Sequence, residues 1–270
     1  MESLKTLKNV ALFGLGEAGT LIGIDLQNRG ITVTAYDPKE VPTPKGICRA
    51  QTPHEAVKDA EVIIALTAGN DAIKAIEQAI DTIPATALYA DFSTNSAAAK
   101  IVMANKAKDY GFDFVDVALM TIVPGKGLRT PVTVSGSGNK RFHALFAPLD
   151  MPITLIQGNA GEAATRKLLR SVMMKGLAAV VIESMRAGEA ADCSEWLWQN
   201  LLDEIAQADK GLVNRLVMGT QTHAHRRLHE MECAAELLNY FGIDSSMTKA
   251  TIDGLKLVIK DGLPKIPKSK

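Results

Sequence analysis

Over the first 156 residues, apolar positions fall in short unbroken runs, separated by stretches where they recur every three or four residues. Residues 10–13, 31–36, 61–66, 87–90, 112–119, 132–135 and 153–156 are β-branched or aliphatic runs ending at Gly, Asp, Asn or Pro, and predict strands. Between several of them, Ala18, Leu21, Ile22 and Leu26, and later Ala72, Ile73, Ile76 and Ile80, take helical spacing. Strands of this kind alternating with amphipathic helices predict a parallel sheet covered on both faces.

After Gly158 the pattern changes. Residues 162–191 contain no proline and are broken only by Gly176 and Gly188. Leu168, Val172, Leu177, Val180 and Val181 are spaced for one long, largely buried helix. Helical patterns continue over 195–208, 212–227, 230–241 and 247–259, with no strand signal. The turn residues at 157–161 mark the boundary, which gives an α/β domain over 1–157 and an all-helical domain over 158–270. The basic, proline-broken segment 262–270 reads as a frayed end.

Lys and Arg total 30 and Asp and Glu total 30, so the formal net charge is zero. A nucleic-acid binder shows a basic excess or stripe, and none is expected to bind here. With 47% hydrophobic and 22% charged residues, wholesale disorder is excluded. Cys48, Cys193 and Cys233 are odd in number and widely spaced, which suits reduced thiols in a cytosol. The amino terminus reads as no signal peptide, and no run approaches the ~18 apolar residues of a membrane span. A folded cytoplasmic protein with no membrane partner is expected.

Gly14-Leu15-Gly16-Glu17-Ala18-Gly19 is a GxGxxG that follows a strand and opens a helix, the context in which such glycines bind a dinucleotide. The first glycine permits a tight turn, the second lets backbone N–H groups approach a pyrophosphate, and the third lets helix and strand pack closely. The helix N-terminus adds free donors and a positive dipole end. Asp37, at the end of the second run, is placed to bind the adenine ribose hydroxyls and to repel a 2′-phosphate, favouring NAD over NADP. Lys39 just beyond it pulls the other way, and a surface-turn role for Asp37 is the plainer alternative. Thr67, after the 61–66 run, is counted with this cofactor set.

Lys167 shares one face of the long helix with Arg170, Ser171, Met174 and Lys175. That stripe is either solvated surface or the lining of a cleft over a nicotinamide. In a cleft, cationic neighbours would disfavour an ammonium and suit a lysine to proton exchange with an alcohol. Ser93, Thr94 and Asn95 follow the fourth run, where ligands sit in open α/β sheets, though helix capping before residues 97–107 is equally natural. His225 and His229 have the spacing of a helical metal pair, but with His223 they offer no third ligand and no HExxH, so no metal is expected. Anion binding by Arg226 or Arg227, in a partner subunit's site, is a second reading of that segment. Ser135-Gly136-Ser137-Gly138 lacks a nucleophile elbow, and Trp196 and Trp198 read as packing or interface residues.

Taken together, these motifs resemble the β-hydroxyacid dehydrogenase and 6-phosphogluconate dehydrogenase-like superfamily. GLGEAG resembles its cofactor loop, ADFST at 90–94 its substrate-side DxST element, and FVDVALMTIVPGKG at 114–127 its glycine-rich substrate loop. Gly158-Asn159-Ala160-Gly161 followed by Lys167 resembles the element whose lysine is the family's general acid/base. The resemblance runs from Val10 to about Gly176. Met120, Thr121 and Ile122 stand where the family has its Ser-Gly-Gly carboxylate anchor, and Arg170 and Ser171 where it has an asparagine pair. The RKLLRSVMMKGLAAVVIES helix and THAHRR instead resemble a side branch with its own helical C-terminal domain.

The resemblance implies a Rossmann-like, mostly parallel sheet domain followed by an all-α domain that mediates homodimerisation, with the active site between the domains. The expected activity is NAD(P)-dependent hydride transfer to or from a small polar, acidic hydroxy compound. Lys167 is the expected proton carrier, Ser93, Thr94 and Thr121 the substrate-orienting residues, and Arg170 or Lys175 the partner of an acidic group. The missing serine anchor leaves a carboxylate in need of a guanidinium. The retained lysine points to alcohol–carbonyl chemistry, and the alternatives are an imine- or amine-forming NADPH reductase and a non-catalytic dinucleotide sensor.

Overall fold

The computed structural model describes residues 6–209 and 211–267. The first five residues of the amino-terminal stretch and the last three of the tail expected to fray lie outside them. The chain divides into two compact units, Met1–Arg170 and Ser171–Lys270.

In the first unit, the strands are β1 (Asn9–Phe13), β2 (Thr32–Tyr36), β3 (Cys48–Arg49), β4 (Val62–Ala65), β5 (Leu88–Asp91), β6 (Asp113–Leu119), β7 (Val132–Ser135) and β8 (Ile153–Leu155). Its helices are α1 (Glu17–Asn28), α2 (Pro53–Val57), α3 (Ala72–Glu77), α4 (Ala97–Asp109) and α5 (Asn139–Phe146), and α6 (Glu162–Ala190) begins here. All eight strands form one sheet in the order β3-β2-β1-β4-β5-β6-β7-β8. Neighbouring strands are parallel except β6 and β7. The connection from β6 to β7 holds only a short 3-10 turn at Gly127–Arg129, so the chain returns without a crossover helix and pairs antiparallel.

The runs predicted as strands form strands, and the two-residue β3 is the one added to them. Their continuous hydrophobicity reflects burial on both faces. Val10, Leu12, Val62 and Ile64 enter one core with Ile22 and Leu26 of α1, and with Phe142 and Phe146 of α5. Ala11, Phe13, Ile63 and Ala65 enter the other with Ile76 of α3 and Met103 of α4. The strand order reverses between β1 and β4, and the carboxyl ends of β1, β4 and β5 therefore open on the crevice where such sheets hold ligands.

The boundary expected at 157–161 and the division of the units differ: the units divide inside α6. Ala163 and Ala164 are buried, and the first N–H groups of the helix are bound by side chains of β6 and β7.

The second unit holds the rest of α6, α7 (Ser194–Ala206), α8 (Leu212–Tyr240) and α9 (Ser246–Asp261), with no strand among its described residues. The two helices expected over 212–227 and 230–241 are one, α8, bent at His223 (φ −121°, ψ 22°). Arg227 fits that bend by donating to the Leu216 carbonyl and the Thr220 hydroxyl. The expectation that α6 is largely buried is corrected: Val172 is 74% exposed, and Leu168, Leu177 and Val180 are also exposed in the single chain. Helical spacing marks an apolar face without saying what covers it. Among the described residues, no helix is long and apolar enough to cross a membrane.

Candidate functional site

The turn from β1 into α1 is shaped by two close approaches. Gly14 has φ +95°, and a Cβ there would lie 2.5 Å from the Leu66 carbonyl oxygen; one on Gly19 would lie 2.0 Å from that of Gly14. Gly16, by contrast, faces open space and caps α1 without any side-chain hydrogen bond. The first turn of α1 therefore keeps its N–H donors for a ligand, with Glu17 exposed and Ala18 half-buried beside it.

Asp37, just past β2, turns its carboxylate back on this loop. Its Oδ2 accepts the Leu15 N–H at 2.8 Å and its Oδ1 accepts the Lys39 N–H at 2.9 Å. Arg49 of β3 donates to the carbonyls of Asp37 (2.6 Å) and Lys39 (2.9 Å), fixing the turn after β2. Gly14, Gly16, Asp37 and Thr67 line a cavity of about 590 Å³. The Thr67 hydroxyl is buried there with no hydrogen-bond partner among the described residues. An orphaned hydroxyl, free helix N–H groups, an open glycine and a carboxylate fit a dinucleotide.

A second group gathers where β5 ends. Lys167 of α6 donates to the Thr94 hydroxyl at 2.8 Å. Ser93 is buried, and its hydroxyl donates inward to Asp91 Oδ2 at 2.9 Å while its N–H donates to Asp91 Oδ1 at 3.2 Å. Asn95 donates to the Gly69 carbonyl at 2.7 Å. The capping considered for residues 93–95 is performed by Ser96, which accepts the Ala99 N–H at 3.2 Å. Of the expected substrate residues, the structure therefore joins Thr94 to Lys167 and turns Ser93 inward. Thr121 is half-buried in the β6–β7 connection, while Arg170 and Lys175 are exposed on α6.

Beneath this pair lies a charged cluster that sequence reasoning missed. Lys100 of α4 reaches Asp91 Oδ2 (2.7 Å), the Asp91 carbonyl (3.0 Å) and Asp116 Oδ1 (3.2 Å). All three side chains are at most 1% exposed. Asp116 Oδ2 accepts the N–H groups of Gly161 (3.0 Å) and Ala164 (2.9 Å), and Ser135 Oγ accepts that of Ala163 (3.1 Å). The signals were present: Asp116 interrupts an apolar strand, and Lys100 stands three and seven residues before the buried Met103 and Ala107. Elsewhere, His229 Nε2 lies 3.8 Å from Cys233 Sγ on α8. Among the described residues no three His, Cys, Asp or Glu side chains form a group that could hold a metal ion.

Residues 9–123 match the NAD binding domain of 6-phosphogluconate dehydrogenase, and residues 189–258 match a domain of unknown function (DUF1932). No curated protein matches the chain. Among solved structures, it is similar to a reductive aminase from Aspergillus terreus in complex with NADPH4, cyclohexanone and allyl amine (TM-score 0.79, 17% identity, 96% of this chain and 95% of that one). It is also similar to an imine reductase from Myxococcus stipitatus in complex with NADP+ (0.80, 16%, 94% and 95%). A V8 variant of the Myxococcus enzyme in complex with NAD+ gives 0.77 at 15% identity, over 96% and 95%.

Proposed function

We propose, from the match of residues 9–123 to the NAD binding domain of 6-phosphogluconate dehydrogenase, that the chain interconverts an alcohol and a carbonyl on a small polar, acidic hydroxy compound. The observation that carries this reading is the 2.8 Å hydrogen bond from Lys167 to Thr94. On this reading Lys167 is the proton carrier, and the bond holds its amine beside a hydroxyl at the carboxyl end of β5. Gly14 to Gly19, Asp37 and Thr67 hold the dinucleotide, with NAD preferred because the Asp37 carboxylate opposes a 2′-phosphate. When bound, a nicotinamide supplies the hydride acceptor or donor. In the oxidative direction Lys167 takes the substrate hydroxyl proton, and in the reductive direction it returns one. Thr94 and Thr121 orient the reacting group, Ser93 acts by fixing the turn before Thr94, and Arg170 or Lys175 meets the acidic group.

A second copy of the chain is the proposed partner of the helical unit. Trp196 and Trp198 on α7, and Val172 and Met173 on α6, are large apolar side chains exposed in the single chain. The reading is a cytoplasmic homodimer.

The similarity to a reductive aminase and an imine reductase favours a second reading, NADPH-dependent reduction of a C=N bond. One experiment separates the two: turnover of hydroxy acids and polar alcohols with NAD, and of cyclic imines with NADPH, by wild type and Lys167→Ala. Alcohol turnover that falls about 10²- to 10⁴-fold in the variant is expected. Imine turnover with NADPH that survives the substitution would overturn the alcohol reading. Tight NADH binding with no turnover on any substrate would leave a dinucleotide sensor.

A further inference from the structure

Asp91 and Asp116 are register partners on adjacent strands, so two carboxylates stand side by side inside the first unit. Two anions and the one ammonium of Lys100 leave a formal surplus of one negative charge in a region closed to water. The surplus is met at Asp116 Oδ2 by the N–H groups of Gly161 and Ala164, at the positive end of the α6 dipole. Removing the ammonium would leave uncompensated buried charge, which proteins tolerate poorly.

The cluster has two arms. Through Asp91 it grips both the N–H and the hydroxyl of Ser93, and so fixes the turn that presents Thr94. Through Asp116 it grips the first turn of α6, and so fixes the helix that presents Lys167. Among the described residues, Lys100 is the side chain that pairs with both aspartates, and it is itself too deeply buried to meet a substrate.

We propose that Lys100 is a positioning residue: by holding Asp91 and Asp116 together, it sets the Lys167–Thr94 geometry on which proton exchange depends. The inference rests on the role proposed above for Lys167, and its test is chosen so that the two can fail separately. Lys100→Met keeps the length and apolar stem while removing the charge. Because it leaves two carboxylates facing each other, Lys100→Met/Asp91→Asn is prepared beside it as a variant with one fewer anion. Lys108→Met, an exposed position on the same helix, is the control.

Four quantities are measured on the full chain: NADH affinity, kcat, KM, and the rate at which Lys167 is acylated by an N-hydroxysuccinimide ester, relative to exposed Lys256, by mass spectrometry. In Lys100→Met, NADH affinity is expected to stay within about threefold, since the glycine turn and Asp37 follow β1 and β2, away from the cluster on β5 and β6. Lys167 acylation is expected to rise at least about fivefold as its hydrogen bond to Thr94 loosens, and kcat to fall about 100-fold with KM little changed, the scale of a small misplacement of a reacting group. Acylation unchanged in a variant that still binds NADH would overturn the proposal. If wild type turns over no substrate, the acylation ratio still decides the role of Lys100 while the proposed reaction falls. If Lys100→Met does not fold, wild-type acylation and kcat in the double variant overturn the proposal, and the expected changes there support it.

Discussion

Asp37 accepts the Leu15 N–H at 2.8 Å, so the acidic residue that closes β2 also braces the glycine turn that follows β1. On the proposed reading one carboxylate performs two tasks, shaping the glycine turn and facing the ribose. A charge-assisted hydrogen bond contributes about 1.5–3 kcal/mol, and Asp37→Ala is expected to weaken NADH binding about 10- to 100-fold. Asp37→Asn keeps an acceptor for Leu15 but loses the charge that opposes a 2′-phosphate. It is expected to bind NADH within about tenfold of wild type and to narrow the preference over NADPH. Fluorescence titration with both reduced dinucleotides checks this, and NADH affinity unchanged in Asp37→Ala would refute it.

Thr94 is exposed, whereas its neighbour Ser93 is buried with its hydroxyl committed to Asp91. The two hydroxyls therefore differ in what their loss does. Thr94→Val removes the group that Lys167 contacts while keeping the shape of the side chain. It is expected to lower kcat about tenfold, near the worth of one hydrogen bond, without changing the melting temperature. Ser93→Ala frees a buried acceptor on Asp91 and is expected to lower the melting temperature as well. Steady-state kinetics and thermal unfolding of both variants test the distinction, and identical behaviour of the two would defeat it.

The legibility of this chain follows the range of its interactions. The β1 strand and the glycine turn were readable because their signals are local: an apolar run, then Gly14, Gly16 and Gly19 at fixed spacing. Lys167 stands out by the helix face it shares and by a motif, but its contact with Thr94 spans 73 positions that no periodicity connects. Asp91 and Asp116 stand in two separate motifs and Lys100 in a third segment, and only the register of β5 on β6, which aligns the carboxylates, joins them into one cluster. The bend in α8 was misplaced for a related reason. Its cause is the backbone at His223, served by Arg227 across a turn, and no glycine or proline stands at that residue.

Tyr89 stacks on Phe114 with centroids 6.1 Å apart and rings inclined by 11°, yet its buried hydroxyl has no hydrogen-bond partner among the described residues. Burial, and then the nearby Asp91 carboxylate, push its pKa well above the ordinary tyrosine range. The folded state thus holds the phenolic proton more tightly than the unfolded chain. Stability from this group is present below the unfolded value of about 10 and is lost as the pH rises through the folded one. Tyr89→Phe removes an unsatisfied polar atom and is expected to raise stability by about 1 kcal/mol at neutral pH. It should also flatten the alkaline loss between pH 9 and 11. Urea unfolding at both pH values reads the two effects, and a destabilised Phe variant would contradict them.

Glu183 of α6 caps α9 from outside the helix: its carboxylate accepts the N–H groups of Met247 and Thr248, each at 2.8 Å, and the Thr248 hydroxyl at 2.7 Å. Burial alone would raise its pKa, but the Thr248 hydroxyl and the two N–H donors outweigh burial and hold it below the usual carboxylate range. The stability this cap contributes is therefore present above the unfolded value of about 4.3 and is lost as the pH falls through the folded one. Glu183→Ala leaves buried helix N–H groups without an acceptor and is expected to destabilise α9 by about 1–3 kcal/mol. Glu183→Gln retains an acceptor and should lose less, with a flatter acid limb. Hydrogen exchange at the Met247 and Thr248 amides is the direct readout: faster exchange in Glu183→Ala at neutral pH, and in wild type as the pH falls below 4 once the intrinsic exchange rate is allowed for. Exchange at those two amides that is indifferent both to the substitution and to acid would mean that α9 is held by its apolar contacts alone.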